Sequence, residues 1–169
     1  MEHTNIRLAT VEDAKTIANI VNAAWKTAYA GIVPQSYLDS LEDIPRAQRL
    51  AEGLERSLDL RYYLFEENGV PVGAASLHPT HDEGLADTAE FTFFYFLPTV
   101  WRRGYGRMLL DRLKTDARAL GYRQICCWVL EENSRAIAFY ESQGMLRDGK
   151  RQTVPIGEPL EAVRCIAKL

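Results

Sequence analysis

The chain has 169 residues, a mass of 19.2 kDa, 47% hydrophobic residues and a net charge of −3 with a pI near 5.7. That length suits a single domain over 1–169 with a real core, and the acidic balance argues against general nucleic-acid binding, which favours a strongly basic surface. No apolar run approaches the roughly 20 residues of a membrane span, and the start M-E-H-T-N-I-R lacks a signal-peptide pattern, so a cytoplasmic location is expected.

In chain order, Ile6–Ala9 reads as a short strand. Thr10 is a helix N-cap with Asp13 three positions on, and the helix runs to about Tyr29 because Ile17, Ile20, Val21, Ala24, Trp25 and Ala28 recur at helical spacing. Gly31 and Pro34 end it. A second helical region is predicted over Pro34–Leu41 and Arg46–Ser57, broken at Pro45. Arg61–Glu66 and Val70–Pro79 read as a hairpin around Asn68-Gly69. His78 to Asp87 is polar and loop-like, and Ala89–Leu97 is apolar enough to be one central strand. A helix over Met108–Leu120 stops at Gly121, and a buried strand over Gln124–Leu130 precedes a helix over Ser134–Gln143 that stops at Gly144. Met145–Val154 and Leu160–Lys168 are the last strands. Alternation of this kind predicts a mixed α/β sheet flanked by helices.

Two stretches concentrate chemistry. Between the aromatic strand and its following helix lies W-R-R-G-Y-G-R, Trp101 to Arg107. A strand-to-helix turn aims unpaired N–H groups at one point, where the helix dipole favours an anion, and glycine lets backbone approach a phosphate. Arg102, Arg103 and Arg107 add positive charge around Gly104, Tyr105 and Gly106. The second stretch, N-S-R-A-I-A-F-Y-E-S-Q-G, sets Asn133 at a helix mouth and Tyr140 two turns in. The three cysteines have no zinc spacing and no even count for a disulfide framework; Cys126 and Cys127 fall on opposite faces of a strand, as buried thiols. No metal site is expected.

In this order and spacing the two stretches resemble the Gcn5-related N-acetyltransferases (GNAT). Gly104 and Gly106 match the glycines of that family's acyl-CoA signature, with Trp101 where Arg or Gln is commonest. Asn133, Ala136, Phe139, Tyr140 and Gly144 match its later segment, with Met145 in place of Phe, and Ile6–Ala14 is similar to its opening strand and helix. The resemblance implies a GNAT-like acyl-CoA N-acyltransferase fold, with a mostly antiparallel twisted sheet. In it the two central parallel strands splay apart to admit the acyl-CoA arm. It also implies acetyl-CoA as co-substrate and, because relatives commonly dimerise through their C-terminal strands, a homodimer.

Moving an acetyl group from a thioester to an amine requires that the amine lose a proton, an oxyanion be stabilised and the thiolate be protonated. Tyr140 is the candidate acid, either as proton donor to the leaving thiolate or simply as half of a core aromatic pair with Phe139. Glu90 lies 11 residues ahead of Trp101, the spacing of the family's catalytic Glu. It opens an apolar run, so it is either a desolvated base or a charge at a strand entrance, and His78 and His81 are further candidates. Phe94, Tyr95 and Phe96 match the strand whose backbone pairs with the pantetheine arm in relatives. Asn133 is either a ligand of that arm or a helix N-cap. Trp25 and Tyr29 share a helix face, in a W-x-x-x-Y-x-G-x-x-P pattern that relatives place over the acceptor pocket. They are either cation–π walls for an ammonium or core. The resulting expectation is N-acetylation of a primary amine of a small molecule by direct attack in a ternary complex. The alternatives are a protein N-terminal or lysine acetyltransferase, or a non-catalytic acyl-CoA-binding regulator.

Overall fold

The computed structural model describes residues 3–169. Its elements follow in the order β1 (Thr4–Leu8), α1 (Ala14–Ala28), α2 (Gln35–Asp39), α3 (Asp43–Arg56), β2 (Arg61–Glu67), β3 (Val70–Pro79), β4 (Thr88–Glu90), β5 (Phe94–Phe96), α4 (Tyr105–Ala119), β6 (Gln124–Leu130), α5 (Ser134–Ser142), β7 (Leu146–Ile156) and β8 (Glu158–Lys168). They build one sheet in the order β1-β2-β3-β4-β6-β8-β7, with β5 paired to β3 alone. The β4–β6 pair is parallel and the other described pairings are antiparallel, as the mixed, mostly antiparallel expectation requires. Among the described residues no helix is long and apolar enough to cross a membrane.

Because side chains alternate across a strand, the sheet offers two apolar faces. Ile17, Ile20, Val21 and Leu50 of α1 and α3 cover Tyr62, Leu64 and Ala74 on one face. Leu109, Leu110, Leu113, Ile137 and Tyr140 of α4 and α5 cover Tyr63, Phe65, Ile125 and Cys127 on the other. The start of α1 is tied to the sheet by charge. Asp13 accepts from the Thr10 N–H at 2.8 Å and from two Arg7 nitrogens at 2.8 and 2.9 Å, while Arg7 Nε donates to Glu66 at 2.7 Å. The β2–β3 turn has Asn68 at φ 50 and Gly69 at φ 79, the two positive angles that an Asn-Gly hairpin turn demands.

Three expectations need correction. Pro45 does not break a helix; it lies in the first turn of α3, where its missing N–H would have had no intrahelical acceptor. The helix after the glycine turn begins at Tyr105 rather than Met108, so Gly106 and Arg107 belong to its first turn. The three cysteines are free and buried as expected, and Cys165, distant in sequence, lies directly across from Cys127 in the β6–β8 ladder. The third correction concerns Ala89–Leu97, which is two strands instead of one.

Candidate functional site

The break between β4 and β5 creates the site. Ala89 and Phe91 join the core under α4 and α5, and so do Phe94 and Phe96, whereas Phe93 and Tyr95 turn toward α1. The parity of the strand therefore flips between Phe91 and Phe93, the mark of one inserted residue, a β-bulge. Ser76 on β3 is its partner. Its N–H donates to the Phe93 carbonyl at 3.0 Å, and its hydroxyl accepts the N–H groups of Thr92 at 2.9 Å and Phe93 at 3.2 Å. With both acceptor positions filled, the hydroxyl proton points to Thr92 Oγ1, 3.0 Å away.

Beyond the bulge the chain follows β3 and leaves β6. The last bond between them runs from the Phe91 N–H to the Cys126 carbonyl at 3.1 Å. Phe93 O and Leu97 N both bond to β3, so by alternation the peptide groups of Phe94 and Phe96 face the opening. The result is a cleft of about 520 Å³ between Phe91–Phe96 and Cys127–Val129, floored by Tyr140, Phe139 and Asn133 and ending at Arg102, Gly104, Gly106 and Arg107.

At that end, Gly104 (φ 84) and Arg102 (φ 65) both adopt left-handed backbone, which lifts the chain into the first turn of α4. The first helical bond described there is from Met108 N to Gly104 O, so the Gly106 and Arg107 amides have no intrahelical acceptor. A Cβ at Gly104 would meet nothing within 4 Å, whereas one at Gly106 would press on Phe139 at 3.2 Å. The turn thus combines open space, unpaired amides and positive charge, the donor set a phosphate takes. Arg107 reaches toward Asp111 at 3.8 Å. Arg103 is turned to Glu67 at 2.9 Å, and the Tyr105 hydroxyl also donates to Glu67, while Tyr105 itself lines the cleft. Trp101 lines the cleft and donates its indole N–H to Phe96 O at 2.9 Å, closing one of the free carbonyls. Arg135 covers its ring at 4.0 Å and adds a cleft cation that sequence reasoning missed.

Tyr140 is 8% exposed, against Phe91 and Phe94, and its hydroxyl has no hydrogen-bond partner among the described residues. Burial, then the neighbouring Cys127 and Tyr29, pushes its pKa well above the usual phenol value, so the proton is retained. Asn133 caps α5 by accepting the Ala136 N–H at 3.2 Å, and it also assists the Tyr29 hydroxyl. The Tyr29 and Tyr95 hydroxyls meet at 2.8 Å across the cleft wall, and Trp25 packs edge-on to Tyr29 at 4.8 Å. Trp25, Tyr29 and Tyr95 therefore stand together, and Tyr29 and Tyr95 border the same cleft as Tyr140.

Glu90 stands apart. It precedes the bulge on the face opposite Tyr140, is 8% exposed, and is not among the residues lining the cleft. Thr80 donates to it at 2.6 Å. Its ladder partners are His78 on β3 and Cys126 on β6, and His81 stacks on His78 at 6.0 Å, so the three acid–base candidates share one face. Burial, followed by the Glu90 charge, raises the Cys126 thiol to about 12, which leaves it inert at neutral pH. The loop above is anchored by Arg164, which donates to Asp82 at 2.7 Å and Asp148 at 2.6 Å. Among the described residues no group of three or more His, Cys, Asp and Glu side chains is arranged to hold a metal ion.

The profile of the acetyltransferase (GNAT) family matches residues 19–145 of this chain. The chain belongs to that family. As a GNAT N-acetyltransferase it is 31% identical, over 81% of its length and 77% of the relative's, to an uncharacterized N-acetyltransferase, YuaI, of Bacillus subtilis (strain 168). It is 24% identical over 82% of its length, and 86% of the relative's, to a spermidine N(1)-acetyltransferase of Thermoplasma acidophilum. The crystal structure of the PaiA N-acetyltransferase of Thermoplasma acidophilum in complex with coenzyme A superposes with a TM-score of 0.81 at 22% identity, over 99% of both chains. The yncA acetyltransferase of Salmonella typhimurium, solved with acetyl-CoA, superposes at 0.73 with 24% identity, over 99% of this chain and 94% of that one. Within this GNAT enzyme, Ser76 carries no side-chain signature of catalysis, and only its register against the bulge reveals it.

Proposed function

We propose that the protein transfers the acetyl group of acetyl-CoA to a primary amine of a small molecule, by direct attack within a ternary complex. The observation that carries this reading is the cleft between β5 and β6. It runs from the Gly104 turn to a buried, protonated Tyr140 hydroxyl that no protein group occupies. The turn suits the pyrophosphate, and the outward peptide groups of Phe94 together with the Phe96 N–H suit an extended amide-bearing arm. Coenzyme A or acetyl-CoA in the similar structures supports the same co-substrate.

In this reading the amine nitrogen forms a bond to the thioester carbon as the carbon–sulfur bond breaks. Tyr140 supplies the proton that the departing sulfur takes. Glu90, set off on the other face, takes the amine's proton through water rather than by touching it. No enzyme nucleophile is needed, and Cys127 is unsuited to be one because burial, then its neighbour Cys165, holds its pKa well above the usual thiol value.

The test is thiol release from acetyl-CoA by purified protein, offered polyamines, aminoglycosides, amino acids and peptides. Turnover with a small amine supports the reading. Turnover with peptides alone replaces it by protein acetylation, and tight acetyl-CoA binding without any acceptor replaces it by an acyl-CoA-binding regulator.

A further inference from the structure

Arg46 on α3 is half-buried and held in one orientation. Its Nε donates to Asn22 Oδ1 at 2.5 Å, and Asn22, itself 3% exposed, donates onward to Asp43 at 2.7 Å. The guanidinium carbon lies 5.3 Å above the Trp25 ring. This fixes one edge and one face of the fork and leaves the two terminal nitrogens without a protein partner among the described residues. Other sheltered arginines are treated differently: Arg7 faces Asp13 and Glu66, Arg112 faces Asp116, and Arg164 faces Asp82 and Asp148. Asp43, the carboxylate whose charge reaches Arg46, is hydrogen-bonded by Asn22 and forms no ion pair with Arg46 among the described residues. Burial without a counter-ion accordingly depresses the Arg46 pKa.

The surroundings repeat this excess of donors. Trp25 is also 6.3 Å from Tyr95 and 6.4 Å from Tyr37. Its indole nitrogen is buried with no hydrogen-bond partner of regular geometry. The Tyr29 and Tyr95 hydroxyls stand 2.8 Å apart beside it. Trp25 packs on Tyr29 and Tyr95, which line the cleft, so the Arg46 guanidinium over Trp25 stands beside the cleft wall without itself lining the cleft. A second ammonium placed there would meet a like charge, whereas a carboxylate or phosphonate would find a fork that can bind it bidentately.

We infer that the amine this enzyme acetylates also carries an oxyanion, a carboxylate or phosphonate, and that Arg46 receives it. The acceptor is then amino-acid-like instead of a polyamine, and Arg46 is the residue that distinguishes the two. The inference rests on the amine acetylation proposed above and specifies its acceptor.

The experiment compares kcat/KM, at saturating acetyl-CoA, for a series of α-amino acids, their uncharged carboxamides, aminoalkylphosphonates of matching length, and spermidine. The wild type should prefer an oxyanion-bearing amine over its carboxamide by roughly 10- to 100-fold, the scale of a charge-assisted bond. Whether the carboxylate or the phosphonate series is faster identifies the anion. Arg46→Gln should remove most of that preference through KM with kcat less affected, and Arg46→Lys should restore part of it. Coenzyme A affinity, measured on each variant by calorimetry, verifies that the cleft is intact. Efficient spermidine turnover with no gain from an oxyanion would overturn the inference while leaving amine acetylation standing, as would equal losses for acid and carboxamide in Arg46→Gln. Absence of turnover with every amine, despite coenzyme A binding, would remove the acetylation reading itself.

Discussion

Ser76 holds Phe93 at both ends of one residue: its N–H reaches the Phe93 carbonyl at 3.0 Å, and its hydroxyl receives the Phe93 N–H at 3.2 Å. Together with the Thr92 N–H at 2.9 Å, this pins the extra residue that parts β5 from β6. Ser76 is fully buried, so water cannot replace it. Ser76→Ala leaves two inward amides without an acceptor, a cost of about 1–3 kcal/mol for each. The expected outcome is a lower melting temperature and a coenzyme A affinity reduced at temperatures where the variant is fully folded. Unchanged calorimetric affinity would show that the bulge persists without its pin.

The two glycines of the turn should fail in different ways. Gly104 has φ 84 and open space around its missing Cβ, so Gly104→Val strains the backbone and sets a side chain where a phosphate would approach. Coenzyme A affinity should fall sharply in a protein that still folds. At Gly106 the added carbon presses on Phe139 at 3.2 Å, so Gly106→Val should separate α4 from α5 and lower the melting temperature first. Calorimetry and thermal denaturation of both variants make the comparison, and identical behaviour would refute it.

Because the Tyr140 hydroxyl has no protein partner, Tyr140→Phe strands no polar group and should leave stability and coenzyme A affinity close to wild type. Loss of the proton donor should reduce turnover on the order of 10²-fold. Single-turnover kinetics separate this step from product release. Wild-type rates in the chemical step would reduce Tyr140 to packing.

Glu90→Gln tests the distant base. Thr80 can still donate to the amide oxygen, so the fold should persist. The rate should fall most at neutral and lower pH and recover partly as higher pH supplies free amine, while wild type levels off above the apparent pKa of its base. Parallel profiles of kcat/KM against pH would reassign the role to water or to the stacked His78 and His81.

Hydrogen bonds from Arg7 hold the Asp13 carboxyl at about 2, below its ordinary value near 3.8. A depressed carboxyl contributes stability that is complete above its unfolded value and is lost as pH falls through its folded one. Asp13→Asn should therefore be less stable than wild type at pH 6, and the gap should narrow between about pH 4 and pH 2. Urea denaturation of both proteins across that range measures it, and a constant gap would assign the effect to helix capping alone.

Local signals in the sequence determined much of this protein. Helical spacing from Ile17 to Ala28, the Asn68-Gly69 turn and the stops at Gly121 and Gly144 depend on neighbours a few residues apart, and all appear where expected. The glycine turn at Gly104 and the N-cap at Asn133 are likewise short-range, because backbone angles and helix ends are set within a turn or two. Tertiary structure alone decided the rest. After Glu90 and Thr92 the segment Ala89–Leu97 is aromatic and apolar to its end, so no further polar beat betrays where its faces exchange; the inserted residue shows only against the register of Ser76. Distance in the chain hid the encounter of Cys127 with Cys165, the diversion of Arg103 to Glu67, and the meeting of Arg46 with Trp25. Each joins segments far apart in the chain, and such pairings are chosen by the packing of the sheet and its two covering layers.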